Sequence, residues 1–256
     1  EYEVAITENT VGVAYTVTAD SQPPLEEVLE VAHRHDIPVL VDAAAQLPPI
    51  SNLRRFIELG ADLVTFSGGK ALRGPQSTGI LCGRKEYIAS AALQHLDTDE
   101  HFGIWAPPEE LIPKSRIIGM PRHGIGRGFK VSKENAIGLL TALRLFSEAA
   151  YSPDFDEQRG YLEYVADGLS GLPLEPRIDI PDGEGYPMLH IVIDVQTLGK
   201  SGFEVSRQLK QGNPGVFVNE GSLSQDILVV HPLNLNQPRT EALTRQLRNA
   251  LDPALP

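Results

Sequence analysis

Apolar and polar positions along the chain fall into short strand-like runs separated by stretches of helical spacing. The opening run EVAITENTVGVAYTV reads as strand, with VGVAYTV as its firm part. In PPLEEVLEVAHRH, Leu25, Val28, Leu29 and Ala32 recur at helical spacing behind two prolines that start the helix. IPVLVDA is an unbroken apolar, β-branched run and predicts a buried strand. SNLRRFIELG predicts a short helix with Ser51 as its N-cap and Gly60 at its stop. ADLVTFS and TGILCG read as strands. A helix runs from about Lys85 to Gln94, an irregular stretch extends to about Gly128, and SKENAIGLLTALRLFSEAA forms a helix from Ser132 with Glu134 and Asn135 in its first turn. This alternation predicts an α/β fold, a mostly parallel sheet with helices on both faces.

The pattern changes after YSPDF, near Tyr151. DEQRGYLEYVADGLSGL reads as a helix, MLHIVIDV, GVFVNEG and ILVVHP as strands, and GFEVSRQLKQ and PRTEALTRQLRNAL as helices. The expected division is a large domain over residues 1–150 and a smaller C-terminal α+β domain over 151–256. No internal repeat or low-complexity tract is present.

Charge narrows the partners. A net charge of −12 disfavours nucleic acid, which needs a basic face. No apolar run is long enough to span a membrane, nothing at the N-terminus reads as a signal peptide, and Cys82 is the single cysteine; these point to the cytoplasm. One region departs from the acidic average. Between Leu111 and Lys133 lie Lys114, Arg116, Arg122, Arg127, Lys130 and Lys133 with no acidic residue, interleaved with glycines. A solvated basic loop and an anion site both fit that pattern.

Candidate chemistry follows from the strand ends, because ligands of open α/β sheets sit beyond the carboxyl ends of the strands. Asp42 closes IPVLVDA, and Lys70 stands just past ADLVTFS behind two glycines. Each has an ordinary structural reading, a turn residue for Asp42 and a solvated cation for Lys70. FSGGKA fails the phosphate-loop pattern twice: Val64 stands at the first glycine and Ala71 at the Ser/Thr. GIGRG lacks the third glycine of a dinucleotide fingerprint. A strand-end carboxylate with a strand-end lysine suits pyridoxal phosphate: the lysine holds the aldehyde as a Schiff base and the carboxylate keeps the pyridine nitrogen protonated. Ser67 can offer its hydroxyl to the cofactor phosphate.

VDAAAQLPP, FSGGKALRGPQSTGIL and GRGFKVSKENAIGLLTAL together resemble the selenocysteine-synthase-like (L-seryl-tRNA(Sec) selenium transferase-like) family of fold type I pyridoxal-phosphate enzymes, a branch that includes D-glucosaminate-6-phosphate ammonia-lyase-like proteins. The resemblance implies Lys70 as the Schiff-base lysine, Asp42 as the pyridinium partner and Ser67 near the phosphate. It places Gly74 and Gln76 of the GPQ turn, and Gln46, about the cofactor. The arginine that many fold type I enzymes carry in the C-terminal domain has no counterpart in ILVVHPLNL, which offers His231; Arg122, Arg127 and Lys130 are then the substrate-binding candidates. The family's N-terminal portion finds no match, which implies that this part of the fold is absent. A homodimer or higher homo-oligomer acting on a small anionic amino-acid-type substrate is the implied assembly.

The implied reaction is an α,β-elimination from an amino acid or amino-sugar acid, giving a 2-keto acid and ammonia. A racemase, an aldolase, a selenocysteine-synthase-like transferase and a non-catalytic binding module on the same fold stay open. Elsewhere, His95, Asp97, Asp99, Glu100 and His101 fit no established ligand spacing and read as a solvated loop without metal. Cys82 reads as a core thiol. Trp105 either lines a pocket or packs beneath its loop.

Overall fold

The computed structural model describes residues 2–18, 21–150, 152–180 and 186–253, and the chain divides into two compact units, Glu1–Glu148 and Ala149–Pro256. In the first, helix α1 (Tyr2–Ala5) precedes a four-stranded sheet ordered β1 (Val13–Thr16), β2 (Val39–Asp42), β3 (Leu63–Ser67), β4 (Gly79–Gly83). The first three strands run parallel and β4 returns antiparallel beside β3. Parallel neighbours need crossovers, and α2 (Leu25–Arg34) and α3 (Asn52–Glu58) supply them.

Register decides which residues face the core. Tyr15, Val41 and Val64 are level across the three parallel strands, and with Val39 and Phe66 they form one face, fully buried. Phe56 of α3 lies against Phe66, ring centroids 6.3 Å apart, and α2 buries Leu25, Val28, Leu29 and Ala32. The alternate residues point the other way: Thr16, Leu40 and Asp42 are exposed and Thr65 and Ser67 half-buried. Helices α4 (Lys85–Gln94) and α5 (Lys133–Ser147) follow, and Ser132 caps α5 by accepting the Asn135 N–H at 3.2 Å.

Asp62, just ahead of β3, joins several elements. Its side chain, 6% exposed, accepts the Val39 N–H at 2.8 Å, His33 Nε2–H at 3.0 Å and an Arg84 guanidinium N–H at 3.2 Å. Burial works to raise its pKa, but the hydrogen bonds from Val39, His33 and Arg84 outweigh it and hold the carboxyl below the usual aspartate value. A depressed folded-state pKa gives stability that is present above the unfolded value of ~3.9 and is lost as pH falls through the folded one. Asp62→Asn is expected to lower stability in urea by about 1–3 kcal/mol near neutral pH, and to flatten the loss below pH ~4. An unchanged denaturation midpoint and an unchanged acid limb refute this role for Asp62.

Two expectations of local structure are corrected here. The opening is no strand: α1 occupies its start, and the Thr7 N–H bonds to Thr10 Oγ1 while the Thr10 N–H returns to the Thr7 carbonyl. Such side-chain competition for the backbone delays the strand to Val13. Ser51 does not cap α3. Its backbone is itself helical and its hydroxyl makes no cap bond, whereas Asn52 Nδ2 donates to the Gln46 carbonyl at 2.7 Å. Gly60, with φ +112°, does stand at the helix stop.

The second unit contains α6 (Ser152–Gly168), an antiparallel sheet ordered β5 (Leu174–Asp179), β6 (Met188–Ile193), β7 (Ile227–Val230), and helices α7 (Val195–Leu198), α8 (Gly202–Gln211) and α9 (Gln237–Leu251). Its core joins Leu162, Val165 and Leu169 of α6 to Leu189 and Ile191 of β6, Leu209 of α8 and Leu247 of α9. GVFVNEG is not a strand: only Asn219 bridges to Val229, and the Val216 N–H goes instead to the Leu209 carbonyl at 2.9 Å. At the opposite edge, beside β6, lies β5, whose Pro176 is tolerated because β5 is an edge strand. Among the described residues no helix is long and apolar enough to cross a membrane.

Candidate active site

Asp42 and Lys70 are delivered to one end of the first sheet. Asp42 is the last residue of β2 and is level with Thr65 of β3; Ser67 ends β3 two residues later, and Lys70 follows in the next turn. Neighbouring strands are ~4.8 Å apart, so Asp42 and Ser67 flank the same small area of the open face. Asp42 Oδ1 accepts the Ala44 N–H at 3.0 Å, the ordinary turn role. Its other oxygen has no partner among the described residues. Lys70 is exposed, and among those residues its ammonium makes neither hydrogen bond nor ion pair.

The turn that carries Lys70 is tightly closed. The Gly68 N–H donates to the Thr78 carbonyl at 2.9 Å, the Gly74 N–H to Gly68 at 2.8 Å and the Arg73 N–H to Lys70 at 2.9 Å. Thr78 Oγ1 bonds the Pro75 carbonyl at 2.6 Å. The chain passes so close to itself that a Cβ on Gly68 would overlap Thr78 Oγ1, and one on Gly69 would lie 2.6 Å from Gln76 Cα. Helix α5 braces the turn from outside: Asn135 Nδ2 donates to Ser77 Oγ at 3.3 Å. Gly74 and Gln76 therefore lie in the same turn as Lys70. Thr78, which the sequence reading passed over, fills the room that Gly68 leaves; the one signal for it was a threonine opening the strand after GPQS.

Of the remaining candidates, Gln46 and Arg127 bond to groups other than Asp42 and Lys70 among the described residues. Gln46 Nε2 donates to the Val17 carbonyl at 3.0 Å and so ties the loop after β2 to the end of β1. In the basic segment, Arg127 Nε lies 3.8 Å from Asp97 Oδ2, and the His123 N–H bonds Asp97 Oδ1 at 3.2 Å. The Gly124 N–H donates to the Leu96 carbonyl at 3.2 Å, so the segment is anchored at the end of α4. Lys114 donates to the carbonyls of Trp105, at 2.6 Å, and Gly103, at 3.3 Å, with its ammonium 4.9 Å from the Phe102 ring. That lysine organises its own loop around a buried Trp105. Arg122 and Lys130 make no ion pair among the described residues, and no hydrogen bond or ion pair there links Arg122, Arg127 or Lys130 to Asp42 or Lys70.

Other reactive groups have local roles. Cys82 is half-buried, its Sγ 3.7 Å from the Val64 carbonyl, and burial pushes the thiol pKa up, so it stays protonated at neutral pH. His231 accepts the Leu233 N–H at Nδ1 and packs at a tilt against Tyr186, ring centroids 5.3 Å apart. Among the described residues no group of three or more His, Cys, Asp or Glu is arranged to hold a metal ion.

Residues 1–98 match the aminotransferase class-V family. Over 254 residues the chain is 27% identical to 5'-C-glycyluridine monooxygenase-decarboxylase of a Streptomyces species, covering 96% of this chain and 56% of that protein. It is 24% identical over 258 residues to D-glucosaminate-6-phosphate ammonia lyase of Salmonella typhimurium, covering 99% of this chain and 61% of the relative. A shorter match, 35% identical over 104 residues, joins it to L-seryl-tRNA(Sec) selenium transferase of Desulfovibrio desulfuricans, with 34% of this chain and 22% of that one. The solved structure of a D-glucosaminate-6-phosphate ammonia-lyase superposes with a TM-score of 0.63 at 24% identity, covering 98% of this chain and 60% of the other. The chain thus spans 56% and 61% of the length of these two relatives. Its parallel strand ends, its GGK turn and these likenesses agree: the chain has the fold of fold type I pyridoxal-phosphate enzymes and is similar in sequence to their selenocysteine-synthase-like group.

Proposed function

We propose that the protein is a pyridoxal-phosphate-dependent lyase that converts an amino acid or amino-sugar acid, by α,β-elimination, to a 2-keto acid and ammonia. The observation that carries this reading is the meeting, at one sheet edge, of the Lys70 amine and an Asp42 oxygen that have no partner among the described residues. The site fits the cofactor, because the turn beside Lys70 lacks Cβ atoms where the backbone is most crowded and leaves the amine exposed. When bound, the cofactor supplies an electron sink conjugated to the substrate's α-carbon.

Asp42 would keep a proton on the ring nitrogen: the Ala44 N–H orients its carboxylate, and the second oxygen would accept the hydrogen bond. Ser67 would offer its hydroxyl to the phosphate. Lys70 would hold the cofactor through its amine, and the same amine, when free, would take the substrate's α-proton as general base. A β-hydroxyl leaves as water, and a water molecule consumed in the final hydrolysis releases ammonia, so the atoms balance. Arg122, Arg127 and Lys130 serve the substrate's anionic groups, with Asp97 orienting Arg127. We place the enzyme in the cytoplasm as a homodimer or larger homo-oligomer. Ile125, Phe129, Ile137 and Leu140, 65–82% exposed, support a partner surface.

Assay of the protein with pyridoxal phosphate and D-glucosaminate 6-phosphate, or simpler β-hydroxy amino acids, is expected to release 2-keto acid and ammonia in equal amounts. Inversion at the α-carbon without ammonia would replace the lyase by a racemase. The 27% identity to a monooxygenase-decarboxylase favours a second reading, in which oxygen is consumed and carbon dioxide leaves; trapping that gas separates the two.

A further inference from the structure

In the second unit, α6 and α9 enclose a groove of about 230 Å³ lined by Glu157, Gly160, Tyr161, Tyr164, Gln237, Thr240 and Glu241. It is smaller than the ~300–1,000 Å³ of pockets that take a whole drug-sized ligand, so it suits a headgroup and short stem rather than a cofactor. Its walls are two phenol rings and two carboxylates. Tyr161 Oη–H donates to Glu157 Oε1 and Gln237 Nε2 to Glu241 Oε1 at 2.9 Å, so each carboxylate is oriented by a neighbour and keeps one oxygen uncommitted. Among the described residues no Lys or Arg pairs with either glutamate; Arg245, which with Tyr164 and Glu241 lines the adjoining groove, makes no ion pair.

A second observation is independent of the charges. Thr240 is 2% exposed, and its Oγ1 has no hydrogen-bond partner. Buried hydroxyls are normally paired, and a helical threonine ordinarily turns back to a carbonyl one turn earlier, as Thr244 does to Thr240 at 2.8 Å. Thr240 instead contributes an orphaned acceptor to the lining of the groove.

We propose that this groove binds an alkylammonium group. Such a head has three N–H donors and a positive charge, and the groove offers Glu157, Glu241 and Thr240 as acceptors, with aromatic faces beside the cation and its stem. The head can belong to a free polyamine or amine metabolite, or to a lysine side chain of a protein partner. The site lies within the second unit and does not depend on the lyase reading.

The test is a titration of the intact protein with 1,4-diaminobutane, following the Tyr161 and Tyr164 ring resonances and the heat of binding. Saturable shifts of both rings are expected, weakened about tenfold or more by Glu157→Gln or Glu241→Gln and by raised salt. N-α-acetyl-lysine amide is the second probe: tighter binding of the diamine assigns a free amine, and tighter binding of the lysine derivative assigns a partner's side chain. An absence of saturation, equal shifts with neutral 1-butanol, or binding indifferent to both salt and the glutamate substitutions overturns the proposal. Should a glutamate variant fail to fold, Tyr164→Phe with the salt series decides, since it must retain salt-sensitive binding.

Discussion

Lys70→Ala is expected to abolish covalent capture of pyridoxal phosphate and to lower turnover by about 10²–10⁴-fold through the loss of proton transfer alone. Borohydride reduction of the parent protein with cofactor should add the reduced pyridoxyl mass to the peptide containing Lys70, and the variant should gain none there. The fold should not suffer, because Lys70 is exposed and its ammonium bonds nothing among the described residues; far-UV dichroism and melting temperature should be unchanged. Added methylamine should restore part of the rate in the variant by replacing the missing base. Labelling at another lysine, or turnover at the parent rate in Lys70→Ala, would remove Lys70 from the mechanism and with it the reading of the sheet edge.

Gly68→Ala is expected to cost about 1–3 kcal/mol, a fall in melting temperature of roughly 2–12 °C for a chain of this size. The added methyl would overlap Thr78 Oγ1 and stand 2.8 Å from Leu139 Cδ1 and 3.0 Å from the Thr78 carbonyl. Leu139 can swing aside, but the Thr78 carbonyl is held by the Gly68 N–H itself. Thr78→Ala in the same chain removes the worst overlap, so the double variant should lose less than the sum of the single losses. The single variant should also bind cofactor more weakly, because any relaxation moves the residues beside Lys70. Additive losses in the double cycle would show that the turn tolerates the methyl by another route.

Much of this site could be read along the chain because its signals are local. Asp42 ends β2 and Lys70 stands three residues past the end of β3, and two parallel neighbours have to bring both to the same edge. Asp62 gave no such signal: its partners, His33, Val39 and Arg84, are each more than twenty residues away. Thr78 was hidden because its role is to occupy space that Gly68 leaves vacant, a relation with no sequence period. The strand reading of GVFVNEG failed through its alternating apolar residues, since Val216 spends its N–H on the end of α8. Conversely β5 was missed because Pro176 interrupts LEPRID, although an edge position tolerates it. That Asp97 stands beside Arg127 was not legible either, because charge composition states a net sign and not a neighbour.

The reversal of direction between β3 and β4 has a consequence for the lysine. Ser67 and Gly79 are paired across the antiparallel ladder, so the segment between them is clasped at both ends rather than paid out into a crossover. Its ordering entropy is then spent when the polypeptide folds, and a ligand arriving at Lys70 meets a preorganised anchor instead of having to freeze one.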